Sequence, residues 1–402
     1  MSLLRGAILG SMLALGLTTL APTRAAAIPA FARKYRVSCQ LCHNPFPALT
    51  AFGDQFAGNG FRMAFDEEPR DTIATGDDLL TLPASLPLAI RLDAYAQLYS
   101  DGKAATDFQM PYTLKLLSGG TLGKKLSYYI YFLLAERGEV AGVEDAFIYW
   151  NDIGGKPVDL AVGQFQVSDP IFKRELRLEV MDYAIYKVLV GLQPANLTYD
   201  RGFMASADLL GFTITVTVVN GDGIPVANDL FRYDNDANKN LFGHISRDLG
   251  SHARLGLMGY TGHQTGEAYG FPDQSNAISM WGADATFGAG ILQLNLQYIA
   301  RTDTEADFIP GEATVDTKGG FAELLARPVG SRWYGYGLYN YIDASAPVLN
   351  VKTGVPVGVD EYESIAVGGG YLVYRNFRLY GEYGYDFNNE LNRVTAGFTT
   401  AF

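Results

Sequence analysis

From Leu88 to its last residue, the chain alternates apolar and polar residues in short segments separated by Gly, Asn, Asp and Pro. In the first segment one face would carry Leu88, Ile90, Leu92, Ala94, Ala96 and Leu98, and the other Arg91, Asp93, Tyr95, Gln97 and Tyr99. A period of two residues is typical of a β-strand whose faces meet different surroundings. A soluble sandwich would need two sheets around a large core. A membrane barrel instead turns its apolar face to lipid and its polar face to a lumen.

The lengths of the connections favour the barrel. We predict sixteen strands, with ends good to about two to four residues, near residues 88–100, 107–118, 125–136, 143–151, 157–167, 197–206, 211–219, 240–248, 252–262, 276–287, 290–301, 316–327, 331–342, 362–374, 377–386 and 392–402. Connections after even strands are tight, the first at Gly119-Gly120, whereas most of those after odd strands are longer. Short turns at one rim and long loops at the other are typical of outer-membrane barrels, and an even strand count places both ends on the periplasmic side. The 25 tyrosines, 23 phenylalanines and terminal Phe402 fit this fold.

The first 27 residues have the layout of a secretory signal peptide: Arg5, an apolar run over residues 7–20, and a small-residue cleavage site at residues 25–27. The run is too short to be a membrane-spanning helix. We therefore expect an exported mature chain. The formal net charge of the full chain, −12, argues against binding nucleic acid.

The only two cysteines of the chain, Cys39 and Cys42, stand in a Cys-x-x-Cys-His motif that ends at His43. This spacing is that of a covalent attachment site for c-type haem, in which the two thiols bind the porphyrin and the histidine is the proximal ligand of the iron. The alternatives are a disulfide, a redox pair or half of a zinc site. A structural zinc site needs four ligands, and no second Cys/His pair follows nearby.

Residues 28–75 are predicted to form a small α-helical monohaem cytochrome c domain, joined by a linker at residues 76–87 to the barrel at residues 88–402. Leu49, Phe52 and Phe56 recur at helical spacing and would give a short helix one apolar face. Met63 is the candidate distal ligand of the haem iron, because a thioether there raises the reduction potential. The alternatives are that Met63 is ordinary packing, that the position is open, or that the ligand comes from the barrel, which carries His244, His252 and His263.

Two loops of the barrel carry many charges. The connection over residues 168–195 is the third long loop and holds Lys173, Arg174, Glu175, Arg177, Glu179, Asp182 and Lys187. It either folds into the lumen, as the third long loop of porins does, or is a solvated external loop. The other loop holds Asp229, Asp234 and Asp236, which would either bind a cation or simply be solvated.

Four segments of the first domain resemble the fused monohaem cytochrome-porins, the outer-membrane iron-oxidase family: Ile28-Pro-x-Phe-Ala-Arg, Cys39-x-x-Cys-His, Pro47-x-Leu-x-x-Phe-Gly53 and Phe56-x-x-Asn-Gly-Phe61. The barrel resembles phosphate-selective porins at Val162-Gly-Gln-Phe-Gln, Asp200-Arg-Gly-Phe and Val219-Asn-Gly-Asp-Gly223. The resemblance implies one covalently bound haem c on Cys39, Cys42 and His43, a sixteen-stranded outer-membrane barrel, and electron transfer from an extracellular donor, ferrous iron in the studied branch, into the periplasm.

Three functions follow from these features. The first is an electron conduit, an Fe(II) oxidase in one form, that passes electrons from an extracellular reductant to a periplasmic carrier such as a cytochrome or a copper protein. The second is an anion-type solute porin in which the cytochrome is a plug, and the third a conduit for a donor other than iron. Enzyme status depends on the donor, and a porin-like barrel in outer-membrane lipid makes a homotrimer conceivable.

Overall fold

The computed structural model describes residues 30–44, 48–63, 72–77, 79–80, 82–84, 87–100, 104–172, 175–234, 236–328, 330–351 and 358–402. Sixteen antiparallel strands close into one barrel. They are β1 Leu88–Ser100, β2 Ala104–Thr121, β3 Leu126–Glu136, β4 Gly142–Trp150, β5 Val158–Gln166, β6 Tyr199–Leu209, β7 Phe212–Val219, β8 Asn240–Leu249, β9 Ala253–Ala268, β10 Phe271–Ala289, β11 Leu292–Asp303, β12 Val315–Ala326, β13 Trp333–Ala344, β14 Glu361–Tyr374, β15 Phe377–Asp386 and β16 Leu391–Ala401. The prediction of a sixteen-stranded barrel is confirmed.

Each strand pairs with its neighbours in sequence, and the barrel closes where β16 pairs with β1, with Phe398 opposite Ala94. Strand β7 shows how the sequence sets the two faces. Its valines at 216 and 218 are exposed on the outer wall, whereas Thr215 and Thr217 are buried inside. An apolar outer wall around a polar interior is the inverse of a soluble protein, because lipid replaces water as the outer solvent. The soluble sandwich is therefore excluded.

The two rims differ as predicted, with two local corrections. Strand β2 continues through Gly119 and Gly120, and its turn lies at residues 122–125. A Cβ on Gly119 would lie 2.7 Å from the ring of Phe31. This glycine therefore makes room for the amino-terminal segment and does not form a turn. The predicted loop between β9 and β10 is mostly strand, since both strands extend to a turn at Tyr269 and Gly270.

The loop between β5 and β6, residues 167–198, lies inside the barrel, and we call it the inward loop. Its described residues include a short helix, α4 Ala184–Lys187, and many of its side chains are fully buried, among them Leu178, Tyr183 and Tyr186. Its strand Leu189–Val190 pairs with Leu349–Asn350 of the loop between β13 and β14. The solvated alternative for this loop is therefore wrong, and folding into the lumen is confirmed.

Before the barrel, residues 30–63 form what we call the amino-terminal unit. It contains three short helices, α1 Ala30–Tyr35, α2 Cys39–Cys42 and α3 Ala51–Gly58. Thr72–Ile73, at the end of the predicted first domain, pairs with Leu82–Pro83 of the predicted linker. The predicted signal peptide lies outside the described residues. Among the described residues, no helix is long and apolar enough to cross a membrane.

Candidate functional site

The Cys-x-x-Cys-His motif lies on α2 and at its end. Ser38 caps the helix, with its hydroxyl oxygen accepting a hydrogen bond from the Gln40 N–H at 3.3 Å. The backbone then leaves the helix at His43, whose N–H donates to the Cys39 carbonyl at 2.9 Å. The motif therefore places one thiol at each end of a single helical turn, with the imidazole on the next residue.

Helix α3 packs closely on this turn. The Thr50 N–H donates to the carbonyl of Cys42 at 2.9 Å, and the Thr50 hydroxyl donates to the carbonyl of Leu41 at 2.6 Å. A Cβ on Gly53 would lie 2.2 Å from the Cys42 carbonyl oxygen. Only glycine allows this approach, so Gly53 lets α3 pack against the turn that carries the motif.

The residues of the motif fit a covalently bound haem. Neither Cys39 nor Cys42 is in a disulfide, and both side chains are partly exposed. Burial raises the pKa of both thiols, and at Cys39 a backbone hydrogen bond and the charge of Arg375 oppose that rise. Within the described ranges, no group of three or more His, Cys, Asp or Glu side chains is arranged to hold a metal ion.

An aromatic cluster lies beside the motif and extends to the barrel wall. Phe31 and Phe61 stack with ring centres 5.1 Å apart, and Phe61 stacks on Tyr129 of β3 at 4.6 Å. Tyr131 continues the row, 6.5 Å from Tyr129. Sequence analysis placed Phe52 and Phe56 correctly on α3, but Leu49 lies before this helix and bridges to His43. It did not identify the aromatic row, because the row joins two elements that are far apart in the chain.

The amino-terminal unit lies in the mouth of the barrel at the short-turn rim. Its contacts are spread around most of that rim: Arg33 to the Leu88 carbonyl at 2.9 Å, Lys34 to Thr121 at 3.3 Å, Arg62 to the Lys124 carbonyl, Gly58 to the Tyr149 hydroxyl at 2.7 Å and Asp54 to Arg254 at 3.8 Å. Because short turns face the periplasm in outer-membrane barrels, the unit lies at the periplasmic end.

Two rim arginines hold the attachment segment itself. Arg375, in the turn between β14 and β15, donates to the Ser38 hydroxyl at 2.9 Å and to the Gln40 side-chain oxygen at 2.6 Å. Arg327, after β12, donates to the carbonyl of Asn44. The residues on either side of the cysteines are thus bonded to the barrel.

The candidate distal ligands lie in different places. Met63 is partly buried and follows Phe61 and Arg62, which contact the β2–β3 side of the rim, whereas α2 contacts the β14–β15 turn. Among the barrel histidines, His244 is buried and bonded to Asp284 at 2.9 Å, and His263 is exposed on the outer wall. His252 lies in the β8–β9 turn, at the rim that carries the unit. His263 as a ligand is therefore wrong, because it faces away from the lumen.

Ion pairs fix the inward loop to the barrel wall. Glu175 pairs with Arg91 at 2.5 Å and Lys115 at 2.9 Å, and it accepts a hydrogen bond from the Tyr131 hydroxyl at 2.8 Å. Burial alone would raise the pKa of Glu175, but the positive charges of Arg91, Lys115 and Arg177 outweigh it and hold that pKa well below its usual range. The loop is therefore held by a carboxylate that stays ionised.

A second carboxylate of the loop, Asp182, is paired with Lys187 at 2.9 Å, Arg137 at 3.1 Å and Arg177 at 3.4 Å. These charges lower its pKa strongly against the opposing effect of burial. Arg177 also pairs with Glu136 at 2.7 Å. The described basic residues of the loop are thus neutralised by carboxylates, while Lys173 and Arg174 lie outside the described residues.

The acidic loop after β7 uses its described carboxylates within the fold. Asp234 pairs with Lys239 at 2.5 Å, and Asp236 accepts a hydrogen bond from the Thr265 N–H at 2.9 Å. Asp229 is exposed. These contacts favour the alternative of an ordinary external loop over a cation site.

No family model matches the chain, and no curated protein matches it. Solved structures do. An anion-selective porin from Comamonas acidovorans is 13% identical with a TM-score of 0.55, and the match covers 79% of this chain and 99% of that one. OmpT of Vibrio cholerae, with its loop L8 deleted, is 12% identical with a TM-score of 0.55 and the same coverage. DcaP of Acinetobacter baumannii, an outer-membrane channel, is 10% identical with a TM-score of 0.53 and 78% and 96% coverage.

These likenesses agree with the geometry of the barrel on one point, the fold. The chain is a sixteen-stranded β-barrel of the porin type, and its apolar outer wall contacts the lipid of the cell outer membrane.

Proposed function

We propose that the chain is an outer-membrane monohaem cytochrome-porin that passes electrons from an extracellular donor, ferrous iron first among the candidates, to a carrier in the periplasm. Cys39 and Cys42 would hold one haem c covalently, and His43 would be the proximal ligand of its iron, with Met63 the candidate distal ligand. When bound, the haem supplies a centre that accepts and releases one electron.

One observation carries this proposal: the segment with the attachment motif lies in the periplasmic mouth of the barrel and is bonded to its rim. A hydrocarbon layer about 25 Å thick separates the two aqueous sides, and the sequence offers a single attachment motif. A centre at the mouth is open to a soluble periplasmic carrier on one side and faces the lumen on the other. The protein needs no general acid or nucleophile for this task, because electron transfer breaks no bond.

The residues around the motif have structural tasks in this proposal. Arg375 and Arg327 orient the attachment turn, and Gly53 allows α3 to support it. Phe31, Phe61 and Tyr129 fill the space between the unit and the wall and exclude water there.

The first test is chemical. The full-length protein, expressed with a haem-ligation system, should carry one covalent haem per chain in denaturing gels stained for haem, and Cys39→Ser with Cys42→Ser should remove it. A stained band from the double variant, or none from the wild type, would contradict the attachment. A spectroscopic redox titration would then test Met63 against Met63→Leu, since loss of a thioether ligand lowers the potential. Stopped-flow mixing of the oxidised protein with Fe(II) tests the donor.

The second candidate is a solute porin with the amino-terminal unit as a plug. The observation that favours it is the fold, which is shared with porins that include an anion-selective one. Planar-bilayer recording separates the two functions: stable open channels with anion preference would support the porin, and a closed barrel that still carries haem would support the conduit. A homotrimer would fit either function.

A further inference from the structure

Three motifs of the barrel that the proposed function does not use come together in one place. They are the segments at Val162, Asp200 and Val219, which lie on β5, on β6 and at the end of β7. Val162 pairs with Phe203, and Phe203 pairs with Val218. Together they line a shallow groove on the outer wall, bounded by Val162, Gly163, Gln164, Arg201, Phe203 and Tyr233.

The groove faces the membrane and not the lumen. Phe203 is 55% exposed, and Val162 and Val218 are exposed beside it, whereas Thr217, one residue from Val218, is completely buried. Arg201 has the same orientation as Phe203, because the two are two residues apart on one strand. Arg201 is also the third residue of β6 after the long-loop rim. It therefore lies on the lipid-facing wall at the external edge.

The guanidinium of Arg201 is held in place by an aromatic ring and a backbone carbonyl. It stacks on the ring of Tyr233, 3.9 Å from the ring centre, and donates to the Pro225 carbonyl at 3.2 Å. Within the described part of the chain, no carboxylate forms an ion pair with it. The neighbouring Asp200 is buried, and its carboxylate accepts the N–H groups of Arg201 and Gly221 at 2.6 and 2.8 Å, which fixes the start of the Tyr233 loop.

Gly163 is the glycine of the groove lining between Val162 and Gln164. Gly163 has a φ of +142°, and a Cβ there would lie 2.2 Å from the Ala146 carbonyl oxygen. A side chain at this position would therefore meet the backbone of β4. A cation on a lipid-facing wall is costly unless it reaches the interface and meets an anion there. An arginine fork matches a phosphate group in shape as well as in charge.

We infer that this groove binds the phosphorylated headgroup of an outer-leaflet glycolipid, with Arg201 on the phosphate, Tyr233 behind it, and Val162 and Phe203 against the start of an acyl chain. The occupant is a lipid and not a free anion because the floor beside the cation is apolar and faces the membrane. The inference is independent of the proposed electron transfer.

The test is native mass spectrometry of the full-length protein released from detergent micelles that contain diphosphoryl lipid A. The wild type should retain the lipid, and Arg201→Gln should bind it about tenfold more weakly, since a charge-assisted contact is lost. Arg232→Gln is the control, because Arg232 is an exposed arginine next to Tyr233 that does not line the groove. Tyr233→Ala, which lies outside the strands, should weaken binding in the same direction and serves if the Arg201 variant does not fold.

Four results would overturn the inference. Equal retention of the lipid by the Arg201 and Arg232 variants would show that Arg201 does not contribute to binding. Equal retention of dephosphorylated lipid A would show that the groove is merely apolar, and displacement by inorganic phosphate would show a free-anion site. If a second copy of the chain covers the groove, Arg201→Gln will change the oligomeric mass and leave lipid retention unchanged.

Discussion

Glu175 is the residue that most directly ties the inward loop to the barrel wall, and Glu175→Gln should loosen that loop. The variant keeps an oxygen that can accept from the Tyr131 hydroxyl but loses the negative charge. Arg91 retains Asp93, at 3.0 Å. Lys115, which is 3% exposed, loses the only carboxylate that pairs with it among the described residues.

The size of the effect depends on Lys115, the cation that loses its paired carboxylate. Removing one partner of a fully buried ion pair costs about 3–5 kcal/mol. The cost here is lower because Lys115 also lies over the Tyr131 ring, 4.9 Å from its centre, and because water can enter a lumen. We expect the free energy that holds the loop in its docked form to fall by about 2 kcal/mol, which raises the population of the open form about 30-fold.

Hydrogen exchange measures this directly. The N–H of Tyr183 bonds to the Leu176 carbonyl at 2.8 Å, and that of Ala184 bonds to the Asn340 side chain on β13 at 3.2 Å. These amides should exchange about 30-fold faster in Glu175→Gln, while the amides of the barrel strands keep their rates. Glu139→Gln is the control, since Glu139 is an exposed carboxylate in the β3–β4 turn. Unchanged exchange at both loop amides would refute the role given to the ion pairs.

Three further outcomes can be checked. The pKa of Asp182 is lowered in the folded loop, so its contribution to the stability of the docked loop is present above the ordinary carboxylate range and is lost only as the pH falls below that range. Hydrogen exchange of the loop amides in Asp182→Asn should therefore be faster than in the wild type at pH 7, and the two rates should approach each other in strong acid. Tyr129→Ala removes the 4.6 Å stack with Phe61 and should speed protease cleavage between the unit and the barrel about tenfold, unlike a matched change at Tyr128. Gly53→Ala places a methyl group against the Cys42 carbonyl and should lower the yield of covalent haem several-fold in the haem-stained gel; an unchanged yield would contradict the role of this close approach.

The barrel could be predicted because its signal is local. Alternation along each strand and the punctuation between strands are properties of about ten neighbouring residues, and strand β1 was predicted to the residue. The strand predictions were wrong where the conformation of a residue depends on a contact with a residue far away in the sequence. Gly119-Gly120 has the composition of a turn, yet the strand continues there because Phe31 packs against it.

The motif of the candidate site is visible in the sequence, whereas its position in the fold is not. The motif at Cys39, Cys42 and His43 is defined by spacing alone. Its attachment to the rim depends on Arg375, which bonds to residues more than 330 positions earlier. No local pattern marks one arginine of a turn as the partner of a distant helix. The same holds for the Phe61–Tyr129 stack, which joins the unit to β3.

The amino-terminal unit and the inward loop meet at Arg254. This arginine forms an ion pair with Asp54 of α3 at 3.8 Å and donates a hydrogen bond to the Pro170 carbonyl of the loop at 3.4 Å. Among the described residues, no other carboxylate forms an ion pair with it. The inward loop, which lies in the lumen, therefore adjoins the amino-terminal unit, which lies in the periplasmic mouth. If the chain carries the proposed haem, a reductant too large to pass a docked loop should reduce it faster in Glu175→Gln than in the wild type. A periplasmic acceptor, which approaches the opposite face of the unit, should react at the same rate with both. If the loop does not control access, the two proteins will be reduced at equal rates from the external side, and the electron must then enter along the wall itself, where Tyr131 and Tyr129 lead from Glu175 to Phe61.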